Sequence, residues 1–187
     1  MATKIYIDQG HNPTNPNAGA EGNGFREQDL VYRIGVLAAE YLRAAGLDVR
    51  LSRPTAATQL GTSNATSLAA RVNDANAWGA DYFISLHANA SDITSASGSE
   101  AFVYRMGTEA QVLAENILTQ LNNITGLPNR GVSARPTLYV LRRTQMPATL
   151  IELGFITNPY DAELMAYSPQ LLAQGVANGV LAFLGML

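Results

Sequence analysis

This chain has only two histidines, and each stands where a strand should end. His11 follows the short apolar run Ile5-Tyr6-Ile7, with Asp8, Gln9 and Gly10 between. A run of that length broken by glycine predicts a buried strand. His87 closes a second such run, Tyr82-Phe83-Ile84-Ser85-Leu86. Residues just past a strand end project into the crevice where open α/β sheets hold their ligands. Two carboxylates complete the set: Glu27 opens a helical pattern, and Glu152 lies within the apolar run Ala148 to Leu153. If the strands run parallel, His11, His87 and Glu152 reach one edge of the sheet, and the helix start at Glu27 can return there. Two imidazoles and one carboxylate around a zinc ion leave an open position, the arrangement of a catalytic rather than a structural site. Zinc lowers the pKa of water to about 7 and polarises a carbonyl. A carboxylate outside the donor set, here Glu152, can then carry a proton from water to a leaving amine.

Each assignment has a structural alternative. A lone histidine is more often a satisfied structural residue than a ligand. Glu27, with Asp29 beside it, would stabilise a helix amino terminus by about 0.3–1 kcal/mol. For Glu152 the alternative is weakest, because a carboxylate among Leu150, Ile151, Leu153 and Phe155 is costly to bury unless paired or held at a working site.

Composition narrows the setting. Of the 187 residues, 47% are hydrophobic and 14% charged, as suits one globular domain with a sizeable core. The net charge is −3 and no block of Lys and Arg stands out, which argues against nucleic acid or an anionic membrane as partner. Cysteine is missing, so disulfides, thiolate metal ligands and a cysteine nucleophile are excluded. No apolar run approaches the roughly 18 residues of a membrane span. No basic segment leading into an apolar stretch opens the sequence, so no secretion signal is expected from these residues.

The elements that must position the site follow in order. Asn12 to Gly24, rich in Asn, Pro and Gly, predicts a long loop of the kind that rims a site. Leu30, Val31, Ile34, Leu37, Ala38, Tyr41 and Leu42 recur at helical spacing from Glu27 to a cap at Gly46. Leu47 to Leu51 alternates as a strand, and Leu68, Val72 and Ala75 mark a helix ending at Gly79. Ala101 to Tyr104 reads as another strand. Thr108 with Gln111 predicts a capping box for a helix with Leu113, Ile117 and Leu121 on its buried face. Leu138 to Leu141 is expected to be extended. Asn158-Pro159 and Ser168-Pro169 each pair an N-cap with proline at the first helical position. Strands alternating with helices predict an α/β fold, residues 1–187 as a single domain: a mostly parallel twisted sheet of about six strands with helices on both faces.

In these residues the chain resembles the catalytic domain of the zinc-dependent N-acetylmuramoyl-L-alanine amidases, the amidase type 3 family. The resemblance rests on Ile7-Asp8-Gln9-Gly10-His11, Gly24-Phe25-Arg26-Glu27, Ser85-Leu86-His87-Ala88-Asn89 and Ile151-Glu152-Leu153-Gly154-Phe155-Ile156-Thr157-Asn158. It covers essentially the whole chain, and four motifs in order are specific where one alone is weak. It implies one catalytic zinc ion held by His11, Glu27 and His87, with Glu152 as the catalytic carboxylate. The implied reaction is hydrolysis of the amide between N-acetylmuramic acid and the L-alanine of the peptidoglycan stem peptide. Two positions depart from the family pattern: Gln9 stands where proline is usual, and Asn12 where glycine is. Some members carry a long helical insertion after the second histidine motif that plugs the metal site. Asn89 to Glu100 is too short and polar for such a helix, so an unplugged site is expected. The resemblance also implies peptidoglycan as partner and action at the bacterial cell wall, with a monomer expected. Release of the phage endolysin type, or origin in a longer precursor, is expected to bring the chain there.

Secondary candidates are more open. Asn89 is a candidate substrate donor or a turn cap. Arg71 and Arg142 are candidates for binding stem-peptide carboxylates, since arginine suits planar bidentate recognition; a solvated or structural arginine is the alternative for each. Asp8 either orients a ligand histidine or finishes its strand. Two other functions stay open: a zinc peptidase cutting within the stem peptide, and a non-catalytic peptidoglycan-binding module. A binding module, however, has no need of an open coordination position.

Overall fold

Apolar runs and helical patterns alternate along the chain, and in the computed structural model they stack as helices on both faces of one sheet. Residues 2–187 are described. In chain order the elements are β1 (Lys4–Gln9), β2 (Glu21–Gly22), β3 (Phe25–Arg26), α1 (Glu27–Ala44), β4 (Asp48–Leu51), α2 (Asn64–Trp78) and β5 (Tyr82–Asn89). Then follow β6 (Ser99–Val103), α3 (Glu109–Thr125), β7 (Asn129–Ala134), α4 (Tyr139–Arg143), β8 (Ala148–Phe155), α5 (Pro159–Tyr167) and α6 (Pro169–Phe183). The main sheet has six strands in the order β4-β1-β5-β8-β6-β7, and β2 and β3 form a small hairpin. From β4 through β8 neighbouring strands are parallel. β6 runs antiparallel to β8, and β7 parallel to β6. The expected α/β architecture is therefore the one observed.

Burial follows the sequence pattern. β1 and β8 are covered on both sides, which is why they read as near-continuous apolar runs. On one face α1, α3 and α6 pack Leu30, Ile34, Leu113, Ile117, Leu172 and Val176 against Ile5, Ile7, Ile84 and Ile151. On the other face Val72, Ala75, Val140 and Leu141 of α2 and α4 meet Tyr6, Phe83, Phe102 and Leu150. α2 begins with a reciprocal capping box between Ser63 and Thr66 and stops at Gly79, whose φ of 68° is the left-handed cap.

Three local expectations need correction. Leu138 to Leu141 is not extended but enters the helix α4, which starts from a turn in which the Leu138 amide donates to the Arg135 carbonyl. The neighbours Val140 and Leu141 are both buried in one cluster; a helix allows this, whereas a strand would send one of them to the opposite face. The capping box at Thr108 does not form. Gln111 Oε1 instead accepts from the Gly107 amide, and Thr108 Oγ1 donates to the Arg105 carbonyl. Finally, nothing in the pattern of Asn129 to Ala134 announces β7, because that edge strand is mostly exposed and so lacks alternating apolar residues.

α6 approaches α3 through glycines. A Cβ on Gly179 would lie 2.3 Å from Ile117 Cα, and one on Gly175 2.6 Å from Leu121 Cα, so the two backbones are nearly in contact. Gly179→Ala is expected to destabilise the fold by roughly 1–3 kcal/mol through overpacking, outweighing a helix-propensity gain of about 1 kcal/mol. A lower urea midpoint with unchanged slope would bear this out; an unchanged midpoint would mean that the helices can separate without cost.

Candidate metal centre

The site lies at the carboxyl ends of β1, β5 and β8. Register places it there: Gln9 of β1 is opposite Leu86 of β5, and His87 of β5 is opposite Glu152 of β8. His11 stands two residues past β1, with its backbone in the left-handed region at φ 64°. For a non-glycine residue this conformation costs about 1–3 kcal/mol and persists only where the surroundings impose it. Here the imposing group is Arg71. Its guanidinium donates to the carbonyls of Gln9 and His11 and to Asn12 Oδ1. It also pairs with Asp8 Oδ1 at 2.6 Å.

Glu27, at the first position of α1, reaches the same point. Its Oε2 accepts from the Ala20 amide and its Oε1 from the Ala88 amide, so the long loop and the end of β5 are tied to one carboxylate. Three donor atoms converge: His11 Nε2 and His87 Nδ1 each lie 3.0 Å from Glu27 Oε1 and 3.2 Å from one another. Ligands held about 2.0–2.1 Å from a tetrahedral zinc ion stand roughly 3.3 Å apart, so this triangle of two imidazoles and a carboxylate fits such an ion. No other group of three or more such side chains has ligating atoms this close among the described residues. Burial alone would raise the Glu27 carboxyl, yet its hydrogen bonds to His11 and His87 hold it well below the usual range. The second ring nitrogen of His11 is buried and has no partner among the described residues, so no further hydrogen bond fixes its tautomer. Two glycines make room for the rings. A Cβ on Gly10 would sit 2.5 Å from His87 Cε1, and one on Gly19 2.7 Å from Glu27 Oε2.

Glu152 adjoins the triangle without belonging to it. Its Oε2 is buried and unpartnered. Burial pushes its carboxyl up to about 7, helped by the nearby Glu27 and Glu100 carboxylates and opposed by His87 and Arg135. Glu152 shares a row with His87 on one side and Glu100 on the other, so the three side chains emerge on one face of the sheet. That face forms one wall of a cavity of about 380 Å³, which Asn89, Phe102, Arg135, Leu138 and Leu150 also line.

The secondary candidates separate. Asn89 lines this cavity, where its Nδ2 donates to Glu100 Oε1 at 2.5 Å. Arg71 is only 1% exposed and both of its terminal nitrogens are engaged within the chain, an arrangement that positions His11 and does not favour the expected contact with a substrate carboxylate. Arg142 lines a different cavity with Pro147 and Ala148 at the start of β8. Ala148 is four residues from Glu152, or roughly 13 Å along the strand, so Arg142 lies apart from the cavity that holds Glu152. Asp8 touches neither ligand ring by hydrogen bond; it takes Arg71 and Ser85 Oγ as partners. Gln9, where the family pattern has proline, uses the amide that proline would lack: it donates to Ser52 Oγ, while Gln9 Oε1 accepts from the Arg53 amide. Asn12 holds the long loop by bonds to Pro16 and Leu60. Sequence reasoning missed Glu100 and Arg135. The place of Glu100 two residues before Phe102, on the same face of β6, was the available signal for the former; Arg135, just beyond an unrecognised strand, had none.

The family model described as N-acetylmuramoyl-L-alanine amidase matches residues 5–182. Over 183 residues the chain is 36% identical to N-acetylmuramoyl-L-alanine amidase CwlM of Bacillus licheniformis, a match covering 95% of this chain and 67% of that protein. It is 31% identical over 200 residues to an endolysin of Bacillus phage SPP1, covering 100% of this chain and 68% of the endolysin. Among solved structures, the catalytic domain of CwlV, an amidase from Bacillus (Paenibacillus) polymyxa var. colistinus, superposes with a TM-score of 0.85 at 27% identity, covering 99% of each chain. The chain thus spans about two thirds of the length of the first of these relatives. With a matching fold and a family pattern running from β1 into the last helix, this chain belongs to the N-acetylmuramoyl-L-alanine amidase family.

Proposed function

We propose that residues 1–187 form one zinc-dependent amidase catalytic domain, which hydrolyses the amide between N-acetylmuramic acid and L-alanine in peptidoglycan. Its place of action is the bacterial wall, on the outer side of the membrane, as an autolysin or a phage-type endolysin. The observation that carries this reading is the triangle of His11, Glu27 and His87 donor atoms with the unpartnered Glu152 carboxylate beside it. Among the described residues no helix stands between β5 and β6, which supports an unplugged site.

His11, Glu27 and His87 would hold the ion, which when bound polarises the scissile carbonyl and makes water a better nucleophile. Glu152 does the proton work. Burial lifts its carboxyl above the usual range and a bound cation opposes that lift, so the group can accept a proton from the attacking water and give it to the departing alanine nitrogen. Glu152 is fixed by strand register, and its free oxygen is not engaged by the protein. No hydrogen bond to the protein has to be broken at that oxygen before transfer.

Digestion of purified peptidoglycan is expected to yield new L-alanine amino termini without glycan cleavage, to stop with a chelator and to resume with added zinc. New termini within the stem peptide would point to a peptidase instead. Glu152→Ala should lower the rate roughly 10²–10⁴-fold with zinc affinity nearly intact; substantial residual hydrolysis would remove Glu152 from the role. The raised Glu152 carboxyl also has a calorimetric consequence. Below about pH 7 it is protonated in the metal-free protein, and a nearby cation favours the charged form, so zinc uptake should expel that proton. At pH 7, where a group of that pKa is half protonated, Glu152→Gln should release about half a proton fewer per zinc bound than the wild type. Equal release, measured in buffers of different ionisation enthalpy, would show that Glu152 does not change its protonation state when zinc binds.

A further inference from the structure

Arg135 is the one cation lining the cavity that holds Glu152, and no assigned function uses it. Its backbone is pinned, since the Arg135 amide donates to the Val103 carbonyl and its own carbonyl accepts from the Leu138 amide. Its guanidinium lies 4.7 Å from the centre of the Phe102 ring. Attraction to the aromatic face restrains the guanidinium there without using its N–H donors on an anion. Among the described residues no carboxylate comes within ion-pair distance of it. The carboxylate across the cavity, Glu100, is occupied by the Asn89 side chain at 2.5 Å. A charged, oriented and unpaired fork beside the proton-transfer group is suited to a planar anion on the substrate.

From this geometry we infer that Arg135 is a specificity-determining residue, which receives a free carboxylate of the stem peptide close to the scissile L-alanine amide. The inference rests on the amidase reading and refines it. The residue after L-alanine carries either a carboxylate or, when amidated, a neutral carboxamide. Only the carboxylate can accept two charge-assisted bonds from the guanidinium.

The test uses the zinc-loaded enzyme and two muramyl peptides that differ only in this group. Wild type is expected to favour the free acid by about tenfold in kcat/KM, as one charge-assisted contact in a partly wet site warrants. Arg135→Met, which keeps the apolar stem over Phe102, should bring that ratio close to one, and Arg135→Lys should restore it in part. The preference should also weaken with salt. A parallel calorimetric measurement follows binding of the two unhydrolysable peptides that begin at L-alanine, and the same ordering is expected. A wild-type ratio near one, or a preference that survives in Arg135→Met, would overturn the assignment. Loss of the amidase reading looks different: neither muramyl peptide would be cleaved by wild type, and the binding comparison would still decide whether Arg135 selects the carboxylate.

Discussion

The buried guanidinium of Arg71 is the constraint on which the site depends. It crosses from α2 to the end of β1 and holds Asp8, two successive turns of backbone and Asn12 at once. Burial alone would raise the Asp8 carboxyl, but the Arg71 charge and the Ser85 hydroxyl keep it below its usual value, so the pair remains ionic inside the protein. Buried ion pairs are not strongly stabilising compared with a well-packed apolar core, yet losing one partner costs about 3–5 kcal/mol. The return here is positional. The left-handed turn at His11 is unfavourable by itself, and Arg71 fixes the carbonyl on its far side. Asn12 then extends the same network to Leu60 and Pro16. A loop that would otherwise be free thus presents one imidazole at a fixed point.

Glu27 plays the complementary part from the other side of the cleft. It is 4% exposed, and its two carboxylate oxygens accept backbone amides from the long loop and from the end of β5. A side chain with those bonds has few conformations left to lose when it takes a ligand. The two glycines at positions 10 and 19 belong to this arrangement, because a methyl group at either would displace a ring or the carboxylate. Preorganisation of this kind places the ordering cost in folding rather than in binding or reaction.

The groups of the site were legible in the sequence for a simple reason. Histidine is scarce in this chain, and ionisable residues at strand ends or inside apolar runs conflict with burial unless they work. His11, His87 and Glu152 all announce themselves by that conflict, and Glu27 by its place at a helix start after a long loop. Parallel strands followed from the alternation of patterns. What stayed hidden was of another type. Arg71 lies on a helix of low apolar contrast, and its partners Asp8, Gln9 and His11, 60 or more residues away in sequence, give no local sign. Arg142 and Arg71 look alike on paper, and only the fold separates a surface cation from a buried one. Arg135 follows β7, whose polar residues carry no strand period. The stretch Leu138 to Leu141 is too short for periodicity to choose between helix and strand. Asp161 was missed as well: it is fully buried and receives Ser97, Gly98 and Phe155, tying the end of β8 to the loop before β6.

The row formed by His87, Glu152 and Glu100 across three neighbouring strands has a consequence for how such a chain can diverge. Ladder pairing, not any loop, decides which way Glu152 points, because a slip of one residue would turn it to the opposite face. Surface segments around the cleft are therefore free to lengthen, shorten or change charge while the Glu152 carboxyl stays in line with its imidazole neighbour. Selectivity for one wall chemistry or another can drift in the rim, whereas the chemistry itself is anchored in the part of the molecule that drifts least.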